Sequence, residues 1–343
     1  MNLGPRAYIA FEIGPTVAGL ESGLALTRAA AEAGGDAIKW QILRPDRLVG
    51  RDVPVSYGTL DGPMTSSMRE ILDRRSLPNA EWFTMAQAAR ACRLEIIATV
   101  DYLETLKLAC DLDVDALKVC SGDIAHLDWI REVAATGLPV MLDTGSAGLG
   151  EIERAVDVCL SAPKAPHQIL VVHCPSGYPA RAESINLRML TTLQQMFGET
   201  CTIGFSDHSP DADMDLAALA LGARYIEKTL CLNRAEPWPE HTMAVEPGEA
   251  ASFVRRLREV ETAMGRPRRA VSETESDAKA NARRSAFARV DIHAGEYPDD
   301  SLIEWRRPAT GGIEPGVMGA FCWGRRLTRT VKAGEQIRKE DFA

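Results

Sequence analysis

Polar residues stand near the end of one short apolar run after another. Glu12 follows YIAF, Lys39 and Gln41 lie in DAIKWQ, and Thr99 and Asp101 close IIATVD. Lys118, Ser121 and Asp123 lie in LKVCSGD, and Asp143 and Thr144 close VMLDT. His173 ends VVH, Ser206, Asp207 and His208 lie in GFSDHS, and Glu227 and Lys228 lie in YIEK. One such residue would be a loop or capping group, but a whole succession predicts a shared polar active site. Lys39 and Gln41 are two apart, so on a strand they face the same side. Lys39 and Lys118 at one mouth would suit an anionic ligand such as a phosphate or carboxylate. The rival chemistry is a Schiff base on a buried lysine. His208 beside Asp207 is a metal ligand, a general base or a structural histidine, and spacing alone leaves these open.

The elements that must position these groups follow from the hydrophobic period. Strand-like runs cover 7–14, 36–43, 94–100, 116–122, 139–145, 168–174, 201–208 and 224–230, with helix-like stretches at 24–33, 86–92, 152–160, 187–197 and 216–221. Strands alternating with helices predict parallel βαβ units. Eight units before a last long helix at 247–264 predict an α/β fold of the (β/α)8 TIM-barrel type. A doubly wound sheet would need a G-x-G-x-x-G turn after an early strand, and none occurs. The predicted barrel domain spans 1–264 and a polar linker 265–281. A small β-rich domain follows at 282–343, in which Ala294–Glu296 and Ala333–Glu335 repeat an Ala-Gly-Glu turn.

The 343 residues are 45% apolar and 25% charged, ordinary for a soluble chain with a full-sized core. A net charge of −9 does not predict a nucleic-acid surface. The arginines at 255, 256, 258, 266, 268 and 269 read as the solvated face and exit of a helix. No membrane span or leader is predicted, and eight scattered cysteines without a Cys-x-x-Cys pair predict reduced thiols in the cytoplasm.

FEIG, DAIKWQ, LKVCSGD, VVHCPSGYP with NLRML, GFSDHS, YIEK and PEH-x-MAVEP, in this order and spacing, resemble the sialic acid synthase family. DIHAGE, RRPATGG and VKAGEQI resemble the antifreeze-like (SAF) domain that ends those enzymes. The resemblance implies condensation of phosphoenolpyruvate with the aldehyde of an amino sugar or related sugar. The products would be a 2-keto-3-deoxy sugar acid and phosphate, as in carbohydrate biosynthesis. It implies catalytic roles for Glu12, Lys39, Lys118, Asp123 and His208. It implies substrate contacts for Gln41, Thr99, Ser121, Asp143, Ser176, Tyr178, Ser206 and, from the SAF domain, Arg307. Arg307 would reach a sugar in the partner subunit of a domain-swapped homodimer. A divalent metal, manganese or magnesium, would be held by His208.

Four departures stand against this pattern. Thr229 replaces the second metal histidine, so Glu12, Glu240 or His241 would have to substitute. Pro15-Thr16-Val17 replaces Asn-His-Asn, Asp143 replaces a phosphate-binding serine, and Ser176 replaces an asparagine. A carboxylate beside a phosphate is repulsive unless protonated or bridged by a cation. The departures point to an atypical acceptor. They also motivate a second reading, a barrel repurposed for aldol-type chemistry without phosphoenolpyruvate. A third is a non-catalytic protein that binds sugar acids.

Overall fold

The computed structural model describes residue 1 and residues 3–343, the side chain at 321 excepted. Eight apolar runs form the parallel strands β1 (Tyr8–Glu12), β2 (Ala37–Ile42), β5 (Glu95–Val100), β6 (Ala116–Val119), β7 (Val140–Asp143), β8 (Ile169–His173), β9 (Thr202–Asp207) and β10 (Tyr225–Thr229). They close into a barrel in the order β1-β10-β9-β8-β7-β6-β5-β2, the expected (β/α)8 architecture. Between β2 and β5 an antiparallel hairpin, β3 (Pro54–Thr59) and β4 (Gly62–Ser67), is followed by a helix, Met68–Arg75. The apolar period did not predict this insertion, because its strands are largely exposed and short of aliphatic residues. Helices follow the barrel strands, among them Leu20–Glu32, Asn79–Ala91, Leu149–Leu160, Asp213–Ala220 and Pro247–Met264.

Alternation along each strand sorts the side chains into two sets. Ile9 and Phe11, Ile38 and Trp40, Leu117 and Val119, and Ile203 and Phe205 belong to the core outside the barrel wall, packed with the helices. Tyr8, Ala10, Ala37, Ile97, Ala116, Met141, Leu170, Val172 and Tyr225 make a separate inner cluster. One step further along the same inward faces come Glu12, Lys39, Thr99, Lys118, Asp143 and Glu227. The apolar inner cluster is thus the floor on which a charged layer rests, at the C-terminal ends of the strands.

The chain divides into two compact units, Met1–Gly265 and Arg266–Ala343. The second has its own core, including Ala286, Ile292, Ile303, Ile313, Val331 and Ile337. It also has one antiparallel pair, β11 (Ser285–Ala288) with β12 (Ile303–Arg306). Its two Ala-Gly-Glu turns are built alike. Gly295 and Gly334 have φ of 90° and 80°. Glu296 and Glu335 accept from the backbone N–H three residues back, at 2.8 and 2.9 Å. The stretch 265–281, expected as a linker, carries most of a helix, Glu273–Ala282. Its cause is a capping box: Ser272 accepts from the N–H of Glu275, and Glu275 accepts from that of Ser272.

Candidate active site

Strand register assembles the charged layer. Glu12 lies beside Lys39 and Thr229, Gln41 beside Thr99, Thr99 beside Lys118, and Ser206 beside Glu227. Lys118, 1% exposed, donates to both oxygens of Glu227 at 2.7 and 2.8 Å and lies 3.0 Å from Asp143 Oδ2. Lys39 pairs with Glu12 and approaches Glu227 at 3.4 Å. Ser206 and Tyr225 donate to the two oxygens of Glu227 at 2.9 and 2.5 Å. Glu12 also accepts from the N–H of Gly14 at 2.5 Å and from Gln41 at 3.3 Å.

The layer therefore sets two lysines against three carboxylates, Glu12, Asp143 and Glu227. Burial by itself would lower Lys118, but Asp143 and Glu227 outweigh it and hold the ammonium well above its ordinary value. Burial by itself would raise Glu227, but Lys118 and Lys39 outweigh it and hold the carboxyl far below the carboxylate range. Lys39 goes the other way: burial lowers it, Glu227 opposes, and the neighbouring Lys118 lowers it further. Asp143 is raised by burial and by Glu227, against the pull of Lys118.

Above this layer opens a cavity of about 430 Å³. Its wall includes Glu12, Lys39, Gln41, Thr99, Ser121, Asp123, Asp143, Tyr178, His208 and Glu240, so ten of the sequence-predicted residues meet at one place. Lys118 and Ser206 lie just beneath, bonded to the wall residue Glu227. Two buried polar atoms of the wall have no hydrogen-bond partner among the described residues: Thr99 Oγ1 and Asp143 Oδ1. Tyr178 packs its ring on His208 with centroids 4.8 Å apart, and the carbonyl oxygen of Pro175 lies 3.0 Å from His208 Nδ1. Cys120 donates to Asp123 at 3.2 Å, and burial followed by Asp123 pushes its thiol up to about 12, so it stays protonated. Ser121 is reached closely by Gly145, whose φ of +46° and lack of a Cβ permit the approach; a Cβ there would stand 2.2 Å from that of Ser121.

Three predicted residues, and Thr229 at the position where the resemblance implies a metal histidine, lie elsewhere. Ser176 lines a neighbouring depression with Thr144, Gly145 and Arg188. Thr229 is buried on β10, and His241 is buried off the cavity wall, its Nδ1 3.3 Å from the carbonyl oxygen of Pro239. Arg307 belongs to the second unit, where it is exposed. Sequence reasoning counted Glu227, the hub of the charged layer, among the polar strand ends but gave it no specific role, and it passed over Arg75, a buried wall residue. The inward phase shared by Tyr225 and Glu227 was the available signal for the first. Arg75 had none, because it comes from the unpredicted insertion.

A divalent metal finds a poor donor set here. Among the described residues no group of three His, Cys, Asp or Glu side chains is placed to hold one. Thr229 offers only a hydroxyl, and the oxygens of Glu12 are engaged by Lys39, Gly14 and Gln41. The residues present do not fit a resident metal.

Fold and site define a (β/α)8-barrel protein whose ionisable groups gather at the C-terminal mouth. The NeuB family model matches residues 26–269, and the chain belongs to the NeuB family. It is 28% identical over 315 residues to the N,N'-diacetyllegionaminic acid synthase of Legionella pneumophila, covering 91% of this chain and 87% of that one. It is 30% identical over 230 residues to the human N-acetylneuraminate-9-phosphate synthase, covering 67% and 63%. The N-acetylneuraminic acid synthetase of Leptospira borgpetersenii, solved with citrate, superposes with a TM-score of 0.69 at 25% identity, over 80% of this chain and 90% of that one. The fold also matches a putative spore coat polysaccharide biosynthesis protein E from Chromobacterium violaceum, with a TM-score of 0.78 at 21% identity over 98% and 100% of the chains. Among the described residues no helix is long and apolar enough to cross a membrane.

Proposed function

We propose that this chain is a sugar acid synthase that condenses phosphoenolpyruvate with a sugar-type aldehyde. The observation that carries this reading is the partnerless, buried hydroxyl of Thr99, next to Lys118 in register and on the same cavity wall as Lys39. A buried polar atom without a partner calls for one, and an anionic oxygen between two lysines satisfies it. The Legionella and human relatives are, by their names, synthases of N,N'-diacetyllegionaminic acid and of N-acetylneuraminate 9-phosphate, which supports the same class of product.

In this reading C3 of the enol ether attacks the aldehyde carbon, forming the C–C bond while the aldehyde oxygen takes a proton. Water adds to C2 and gives up a proton. The bond from C2 to the phosphate ester oxygen then breaks as the new C2 hydroxyl passes its proton to the departing phosphate, leaving the 2-keto acid. Lys39, Lys118, Thr99 and Ser121 hold the anionic groups, Gln41 and Tyr178 orient the acceptor, and Glu12, Asp123 and His208 supply protons or remove them. The reading extends to a transferase of the cytoplasm, with residues 282–343 as an SAF domain lending Arg307 to the partner of a homodimer.

Titrating phosphoenolpyruvate into the purified chain, with manganese, with magnesium and with chelator, tests this. Saturable binding followed by phosphate release on adding an aldehyde supports it; no binding under any condition sinks it.

Two observations favour a second reading. Asp143 pairs with Lys118 where the resemblance implies a phosphate-binding serine, and burial lowers Lys39. A lysine so depressed suits aldol chemistry through a Schiff base on a keto substrate. Borohydride trapping of Lys39 with pyruvate would support this version, and unmodified Lys39 would end it.

A further inference from the structure

Two consecutive arginines end the helix Met68–Arg75, and the loop after β10 meets each with a glutamate. The first pair is complete: Arg74 donates to Glu236 at 2.5 Å and lies 4.5 Å over the ring of Trp238. The second is not. Arg75 and Glu240 are each only 8% exposed, yet their nearest atoms stay 3.9 Å apart. Among the described residues neither side chain makes a hydrogen bond, and both lie on the cavity wall. Glu240 adopts the left-handed backbone, φ 72°, which a side-chain-bearing residue rarely takes without a local reason. The same wall carries the apolar Leu48, Val55, Met68, Ile71 and Leu72, and the phenol of Tyr178 acts on both members of the pair.

A buried guanidinium has five donors and no acceptor, and a buried carboxylate accepts only. Facing the cavity, both keep hydrogen-bonding capacity open to a ligand. A ligand group that accepts on one side and donates on the other, such as a secondary amide or two neighbouring hydroxyls, completes both. A phosphate dianion completes Arg75 but sets like charge against Glu240 and leaves that carboxylate without a donor. The pair is neutral as a whole, so it does not act as an anion site.

We propose that Arg75 and Glu240 are the acceptor-selecting pair of the cavity, holding an uncharged sugar-type aldehyde by a neutral donor–acceptor group and turning away its phosphorylated counterpart. This rests on the condensing reading above for the identity of the ligand as an acceptor. Arg75 provides the affinity, and Glu240 provides the discrimination by neutralising Arg75.

The test uses the full chain and two probes, an N-acetylhexosamine and the same sugar carrying a 6-phosphate, followed by saturation-transfer NMR and calorimetry. The wild type should bind the uncharged sugar about tenfold more tightly than the phosphate or better. Glu240→Gln should bring that ratio to about one or below, because the guanidinium is no longer neutralised. Arg75→Leu should weaken the uncharged sugar about tenfold without admitting the phosphate. Should either single variant misfold through its unpaired charge, the double variant Arg75→Leu with Glu240→Leu keeps the test open. Isosteric apolar replacement of a buried pair is tolerated, and that variant should lose the discrimination.

Three results would overturn the proposal: equal or tighter binding of the phosphate by the wild type, an unchanged ratio in folded Glu240→Gln or in the double variant, and no sugar binding at all. Phosphoenolpyruvate consumption is read separately. If the ratio behaves as stated and phosphoenolpyruvate is untouched, the condensing reading fails while the selecting pair stands.

Discussion

Lys118 reaches across the barrel to Glu227, with Nζ 2.7 and 2.8 Å from the two carboxylate oxygens. β6 and β10 lie four places apart in the closed order whichever way one counts, so the bond spans the barrel interior. It ties opposite walls together directly under the cavity, and Ser206 and Tyr225 complete the remaining capacity of Glu227.

Glu227→Gln should therefore cost stability as well as function. Removing one partner of a buried pair leaves the other uncompensated, about 3–5 kcal/mol in comparable cases. Urea unfolding should show it as a lower midpoint with an unchanged slope. The pH profile follows from the two shifts. Lys118 is raised, so its contribution is complete below its ordinary value and fades only as pH rises towards the folded one. Glu227 is depressed, so its contribution is complete above its ordinary value and fades as pH falls towards the folded one. Stability due to this pair should be flat from about pH 5 to about pH 10.

Asp143 predicts a pH dependence of anion binding. Burial raises it, so it takes up a proton at higher pH than an ordinary carboxyl does. The neutral form no longer repels an anion and leaves Lys118 freer to meet one. Phosphoenolpyruvate affinity should rise as pH falls through that raised value, and Asp143→Asn should flatten the profile. Calorimetry of phosphoenolpyruvate binding at a series of pH values would decide it; an equal slope in both proteins would count against Asp143.

Gly145→Ala tests the placement of Ser121. The added Cβ would stand 2.2 Å from that of Ser121, on a backbone with φ +46°. The strain is about 1–3 kcal/mol. The variant should melt earlier and bind phosphoenolpyruvate more weakly; unchanged affinity would remove Ser121 from the binding set.

Lys228→Met addresses the loop that carries His208. Lys228 is fully buried, pairs with Asp207 and donates to the carbonyl oxygens of Ser209 and Asp211, both at 2.6 Å. Asp215 approaches it at 3.5 Å. Without the ammonium the buried Asp207 carboxylate loses its counter-charge, at a cost of about 3–5 kcal/mol, while burial already holds Asp215 well above the carboxylate range. Amide exchange should quicken over 208–212 before it does elsewhere; uniform quickening would show that the network serves the fold alone.

The barrel was legible in the chain because its signal is local. Alternation within each run sends Ile38 and Trp40 outward and Lys39 and Gln41 inward, and no distant residue is needed to read it. Glu12, Lys39, Thr99, Lys118 and Asp143 were legible as site residues for the same reason, since polar strand ends in a barrel share one mouth. The Ser272–Glu275 capping box was equally local, and its helix passed for linker because none of its residues is buried. Which charge meets which was decided by closure. Nothing near Glu227 in sequence says that Lys118, 109 positions earlier, is its partner, because strand order and register set that distance. Arg75 and Glu240 were more remote still. They meet because an insertion after one strand and a loop after another fold over the same mouth, and only the tertiary structure brings those two connections together.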